Sequence, residues 1–318
     1  MLADAFRRPA EFRPNGSQDF YRPADMHNVI ATAEQNTLRS RALASLASLP
    51  PFSPILNRLI ATLSRDDISF ARIAELIEKD TVLAGNVLRL VNSALYGRRA
   101  TINSVRHAVS LLGMNKLRNA TLGMSITRMW SQVRAPSGWS MARFNLHSVA
   151  TAMLADLIAQ EAAVDYAEGA FAAGLFHDLG RLLIAIALPD EHSQLNIMCS
   201  GSHVSRSECE QVALGFTHAE LSAEALEHWN LPAQIRIAVL DHHTPQTSDD
   251  EGSLARLIGC ADEIANMLGF AIEQTNTDNS IDDVVESTKE QLKHLALRNP
   301  KGMLSDFNKE FDAIRALF

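Results

Sequence analysis

From about Met26 onward, apolar residues recur every three or four positions along almost the whole chain. That is the period of an amphipathic helix, not the two-residue alternation of a strand. In the first half the spacing predicts helices over "AEQNTLRSRALASL", "ILNRLIATLSR", "FARIAELIEK", "TVLAGNVLRLVNSALY", "TINSVRHAVSLLG" and "MNKLRNATLGMSITRMW". Their ends carry suitable residues. The prolines of "PPFSP" break the first helix, Ser69 and Asp80 cap the third and fourth, and Gly97 ends the fourth. Residues 131–140, "SQVRAPSGWS", interrupt the period and mark an internal boundary.

The second half continues with "ARFNLHSVATAMLADLIAQ", "AEGAFAAGLFHDLGRLLIAIAL", "SRSECEQVALG", "HAELSAEALEHWN", "PAQIRIAVLDHH" and "SLARLIGCADEIANMLG". The expected fold is all-α, a multi-helix bundle of two packed helical halves. Residues 1–23 read as a flexible N-terminal arm, 24–135 as the first helical unit and 136–270 as the second. Residues 271–318 read as a C-terminal linker, polar and solvated from Glu273 to Asp283, followed by short helices.

Composition narrows the classes. Hydrophobic residues make up 47% of the 318, enough for a substantial core, and the formal net charge is −8. With no basic block, binding of nucleic acid through a positive surface is not expected. Cys199, Cys209 and Cys260 lack the spacing of a metal or redox motif and suit a reducing compartment. No signal peptide and no apolar run of membrane-spanning length stands out, so a cytoplasmic protein without membrane association is expected.

Polar residues nevertheless interrupt the apolar helices of the second half. They are His147, the adjacent His177 and Asp178, His218, the adjacent His242 and His243, and Asp262. A buried carboxylate costs several kcal/mol or more unless it is paired or bound to a metal. Neutral imidazoles and carboxylates are the ligands divalent transition metals take, and a bundle can aim them inward from several helices. Each residue alone has a plainer reading. His177 and Asp178 could be a structural pair, His218 a helix start, and His242 or His243 a C-terminal cap. Arg181 could contact phosphate or extend to solvent. His228 and Trp229 read as core and boundary, His107 as an ordinary helix residue, and "NSALYG" as a helix end packing Tyr96.

The order His, His-Asp, His, His-His, Asp resembles the HD superfamily of metal-dependent phosphohydrolases, in the fuller ligand set of its HD-GYP branch. The stretches "LPP", "IAELIEKD", "VLRLVNSALYG", "AVSLLG", "GLFHDLGRLLI" and "EHWNLPAQI" resemble the HDOD domain, an HD-related output domain of bacterial signalling proteins. The resemblance runs from about Leu49 to Gly269. It implies an HD-like second half in which His147, His177, Asp178 and Asp262 hold one ion. His218, His242 and His243 would complete a second site, with Asp178 bridging. One or two divalent transition ions (Fe, Mn, Ni or Zn) are implied.

Two functions follow from the resemblance. One is a regulatory or protein-interaction module acting on signalling partners in trans, with room for a nucleotide ligand. The other is a metal-dependent phosphohydrolase acting on a nucleotide or cyclic dinucleotide, with Asp178 and Arg181 as catalytic residues. HD-GYP enzymes carry a lysine where this chain has Arg181, and a Gly-Tyr-Pro signature where it has "HHTPQTSDDEGS". Asp249, Asp250 and Glu251 in that loop would repel an anionic dinucleotide if they faced the site. Little hydrolysis of cyclic di-GMP is therefore expected.

Overall fold

Capping chemistry sets the first helices. In the computed structural model, which describes residues 23–63, 70–93, 101–200, 204–244, 253–273 and 279–318, α1 (Pro23–Ala44) is followed by α2 (Pro54–Thr62). Pro54 sits in the first turn of α2, where its missing N–H costs nothing, and Ser53 accepts from Leu56 N. The Asp80 carboxylate caps α4 (Thr81–Val91) by accepting from Val82 N and Leu83 N, just after α3 (Phe70–Lys79) ends. α5 (Val105–Trp130) is interrupted at Gly113, whose φ of 74° lies where glycine is favoured. The two segments expected on either side of that glycine are thus both present.

α6 (Met141–Glu161) opens the second half after the 131–140 loop. Then come α7 (Ala170–Phe176), α8 (Leu179–Ala187), α9 (Pro189–Ser200), α10 (Arg206–Leu214), α11 (His218–His228), α12 (Ala233–Asp241) and α13 (Leu254–Ala265). α14 (Ile281–Ser287), α15 (Lys289–His294) and α16 (Pro300–Ile314) end the chain. Among the described residues there is no strand, so the fold is all-α as the periodicity predicts.

The two halves pack together as expected, and the packing adds three details. One apolar core runs through both halves, from Leu56, Ile73 and Val87 to Phe144, Leu182 and Ile258. Among the described side chains, α1 packs mainly on the other half: Ala42, with Leu38 and Leu43, closes over Ile184, Leu188, Leu214 and Phe216 of the second. Arg39 reinforces this through Glu220 and Glu224. The C-terminal helices are part of the bundle too, with buried Phe307 and Phe311 against Phe270.

Residues Ala167–Ala187 are long and apolar enough to cross a membrane, contrary to the sequence expectation, yet they are almost entirely buried within the protein. They are also not one helix. The expected continuous helix breaks at His177 and Asp178, where Asp178 leaves helical geometry (φ −100°, ψ 13°). The expectations for the arm at 1–22, the cap at Ser69, Tyr96, Gly97 and the acidic loop at 249–251 lie outside the described residues.

α6 and α7 cross at Gly174, where an added Cβ would lie 2.8 Å from Ala152 Cα and 3.0 Å from its N. Backbone cannot yield as a side chain can, so Gly174→Ala should destabilise the chain by about 1–3 kcal/mol. Gly85 in α4 has no atom within 4 Å of its would-be Cβ, and Gly85→Ala should stabilise by about 0.5–1 kcal/mol. Urea unfolding of both variants measures the contrast.

Candidate metal centre

Glycine and helix breaks bring the polar residues together. His177 and Asp178 occupy the α7–α8 junction, His218 the first turn of α11, and His242 and His243 the end of α12. His147 lies within α6 and Asp262 within α13. A Cβ on Gly180 would lie 2.0 Å from the His218 carbonyl oxygen, and one on Gly259 would lie 2.3 Å from that of His242. Only glycine lets these helices approach so closely. Gly180 N also donates to Ser222 Oγ at 2.7 Å, fastening α8 to α11.

Asp178 sits at the N-cap of α8 but its side chain caps nothing. Its oxygens face the histidines instead. Oδ2 lies 3.4 Å from His147 Nε2 and 3.7 Å from His177 Nε2, while Oδ1 lies 3.1 Å from His218 Nε2. Asp262 Oδ1 is 3.2 Å from His147 Nε2 and 3.5 Å from His177 Nε2. Two groups of metal-binding atoms result: His147, His177 and Asp262 on one side, and Asp178, His218, His242 and His243 on the other. The Asp178 carboxylate stands between them. All seven sequence-selected ligands therefore converge.

The tautomers are fixed from behind. His147 Nδ1 donates to Phe270 O at 3.1 Å, His177 Nδ1 to Gly174 O at 2.8 Å, and His242 Nδ1 to Val239 O at 2.6 Å. A carbonyl can only accept, so each Nδ1 carries the proton and each Nε2 of a neutral ring presents a lone pair. His218 Nδ1 donates to Glu210 Oε2 at 2.6 Å, a carboxylate–histidine arrangement typical of metal ligands.

On His147 and His177 the lone pairs then face one another, and His243 presents its Nε2 to that of His218. His147 Nε2 and His177 Nε2 are 3.2 Å apart, and His218 Nε2 and His243 Nε2 are 2.9 Å apart. Such contacts repel unless a proton or a cation lies between. Nitrogen ligands about 2.0–2.1 Å from one ion stand roughly 3 Å from each other, so the spacing suits a shared cation. His242 Nε2 is buried and has no hydrogen-bond partner among the described residues. The donor set fits transition-metal ions well.

Charge in the pocket is strongly redistributed. Burial works against the charged form of His147 and His218, yet Asp178 and Asp262 for the first, and Glu210 and Asp178 for the second, raise both to about 9. Burial and the neighbouring His218 push His243 down to about 4. Burial, His243 and His177 hold His242 well below the ordinary value. Asp178 and Asp262 are held well below the carboxylate range, against their burial, by the surrounding histidines, with Arg181 adding to the effect on Asp178.

Arg181 does not extend to solvent. It is 8% exposed, and Nη1 donates to Asp178 Oδ2 at 3.0 Å while Nη2 donates to Glu273. Glu273 is thus more than the start of a solvated linker. Two further contributors escape sequence inspection. Glu210 is fully buried and takes His218 on one oxygen and Arg206 Nε on the other, the latter at 3.0 Å. Its only signal is spacing: it shares a helical face with buried Leu214. Asn266 Nδ2 donates to Asp262 Oδ1 at 2.8 Å. His228 is exposed at the end of α11, and His107 is exposed as well. Above the centre lies a cavity of about 830 Å³ whose wall includes Asp178, His218, His242, His243, Arg206 and Arg256.

The sequence matches the model of the HDOD domain over residues 49–245. The fold is similar to that of an HDOD domain protein of Geobacter sulfurreducens (TM-score 0.71, 23% identity, 89% of this chain and 99% of that one). It is also similar to a candidate phosphohydrolase of Shewanella amazonensis SB2B (TM-score 0.68, 20% identity, 87% and 96%). At such identities the likeness concerns the fold. A protein of Treponema pallidum (strain Nichols) is 23% identical over 69% of this chain, which spans 43% of that protein's length.

Elemental analysis of protein purified without a metal-affinity tag should find one or two equivalents of a transition metal. Asp178→Ala should lose all of it, because that carboxylate stands between both groups, whereas Asp262→Ala should spare the second group. A metal present at 100 times its Kd stabilises by about 2.7 kcal/mol, and chelation should remove that stabilisation.

The chelated chain should also have a stability maximum near pH 6.5. His147 and His218, raised to about 9, stabilise fully below the usual 6.5 and lose this as pH rises through 9. His243, lowered to about 4, stabilises above 6.5 and loses this as pH falls through 4. Asp178 and Asp262, held well below the carboxylate range, add to the acid-side loss only below about pH 4. Thermal melts across pH 4–10 measure the curve (the pH limits are roughly set by the reference values of these groups).

Proposed function

Because the chain belongs to the HDOD domain family, we propose that it is a signalling protein organised around a transition-metal centre, and that it presents the state of that centre to a partner protein. One observation carries the metal: two pairs of facing Nε2 atoms on either side of the Asp178 carboxylate, with His147, His177 and His218 held in one tautomer by their Nδ1 partners. His147, His177, Asp178 and Asp262 would hold one ion, and Asp178, His218, His242 and His243 a second.

Arg181 favours the signalling reading over catalysis. The guanidinium that would meet a substrate phosphate is occupied on one side by Asp178 and on the other by Glu273. The cavity above the centre favours a second reading, phosphoester hydrolysis, since its wall carries Arg206 and Arg256. Bound divalent ions would supply Lewis acidity and charge neutralisation at a phosphoester. The chain's own part would be to orient the phosphate through guanidinium forks and to hold it in place over the centre.

Turnover of cyclic di-GMP and simple nucleotide phosphoesters, with manganese or iron under reducing conditions, separates the readings. No turnover above that of Asp178→Ala is expected. Metal-dependent turnover abolished in both Asp178→Ala and His243→Ala would make the protein a phosphohydrolase. Signalling requires instead that chelation alter the bundle beyond the ligands. Amide exchange in α12, α13 and residues 270–273 should accelerate when metal is removed, and unchanged exchange there would remove the basis for the module.

A further inference from the structure

Three arginines on the cavity wall have donors to spare. Arg181 Nε, Arg206 Nη2 and Arg256 Nε are buried without a hydrogen-bond partner among the described residues. An unsatisfied buried donor costs about 1–3 kcal/mol, and more when charged, so native structures seldom keep several in one place without a use. Arg181 is more than nine-tenths buried.

One carboxylate closes this group from outside. Glu273 Oε1 accepts from Arg181 Nη2 and also from Arg206 Nη1, the latter at 3.3 Å. The side chains of the two arginines are 10% and 15% exposed, whereas that of Glu273 is 45% exposed. A single oxygen therefore serves two forks, and it arrives from the solvent side. Burial opposes the charge on Glu273, but Arg181 and Arg206 hold its pKa at about 2.

The backbone behind Glu273 is anchored to the same helix that supplies a metal ligand. Arg143 of α6 donates through Nε to Ile272 O at 3.0 Å, and through Nη2 to Ala271 O at 2.8 Å and Glu273 O at 2.7 Å. One turn on, His147 donates to Phe270 O. Residues 270–273 thus form a strap fixed by its backbone, with the Glu273 side chain as its exchangeable end.

Building on the metal-centre reading, we propose that Arg181 and Arg206 form a cradle for a phosphate group and that Glu273 is an internal competitor occupying it. A phosphate group is the ligand class that matches. It carries more charge than a carboxylate and offers three oxygens, enough to engage both forks together with the idle Nε and Nη2 donors. The group could be free phosphate or the phosphate of a nucleotide, and the 830 Å³ cavity has room for either.

The test is calorimetric titration of the full chain with inorganic phosphate and, separately, with a nucleoside 5′-monophosphate. Wild type, Glu273→Gln and Glu273→Gln/Arg206→Gln are compared, each chelated and metal-loaded. Glu273→Gln should bind phosphate about tenfold more tightly than wild type even when chelated, the equivalent of about 1.4 kcal/mol. Adding Arg206→Gln should cancel the gain. A tighter nucleotide than phosphate assigns the group to a nucleotide, and equal affinities assign it to free phosphate. Equal phosphate affinity in wild type and Glu273→Gln would overturn the proposal. Retention of the gain in a chain that binds no metal would uphold the cradle while refuting the metal centre. Because Glu273 is half-exposed, matching thermal melts should confirm that the variant folds.

Discussion

A carboxylate only 2% exposed must be neutralised, and much of the second half answers to that requirement at Asp178. Its two oxygens look in opposite directions, toward His147 and His177 on one side and His218 on the other. Arg181 adds a third contact. Removing any one of these partners would leave charge stranded in a low-dielectric interior, where the penalty is several kcal/mol. The close approaches at Gly180 and Gly259 make sense in the same terms. They sacrifice side-chain volume so that helices bearing compensating groups come near enough to a single residue.

The all-helical architecture was legible because most helices bury one stripe, and α7 and α8, buried almost all round, carry continuous apolar runs. The cap at Asp80 was read as well, whereas those at Ser53, Ser104 and Ser140 emerge only in the fold. The break between α7 and α8 was hidden for a physical reason. Apolar residues continue at helical spacing on both sides of His177, so hydrophobicity carries no trace of the turn. The placement of α1 on the far half was equally invisible, since it depends on contacts between residues as distant as Ala42 and Phe216.

For the centre, the ligands themselves were legible, because histidine or aspartate amid apolar neighbours is locally anomalous. Their supports were not. Glu210 occurs in the charged segment "SECEQ", where a carboxylate ordinarily faces water, and its burial depends on His218 and Arg206 arriving from elsewhere. Glu273 looked like the first residue of a polar connection, and only the folded chain sets it against two arginines. Groups that satisfy a site from outside follow tertiary geometry, whereas groups that form it must tolerate an apolar helix and so leave a mark in sequence.

The two halves of the centre also differ in depth. His147 and His177 are wholly buried and do not border the cavity, whereas His218, His242 and His243 line it and His243 reaches the surface. Asp262 lines the cavity too, so the inner group opens onto it through a carboxylate and the outer group through imidazoles. The two positions would then differ in the chemistry of their approach, a single carboxylate guarding one and three imidazoles the other.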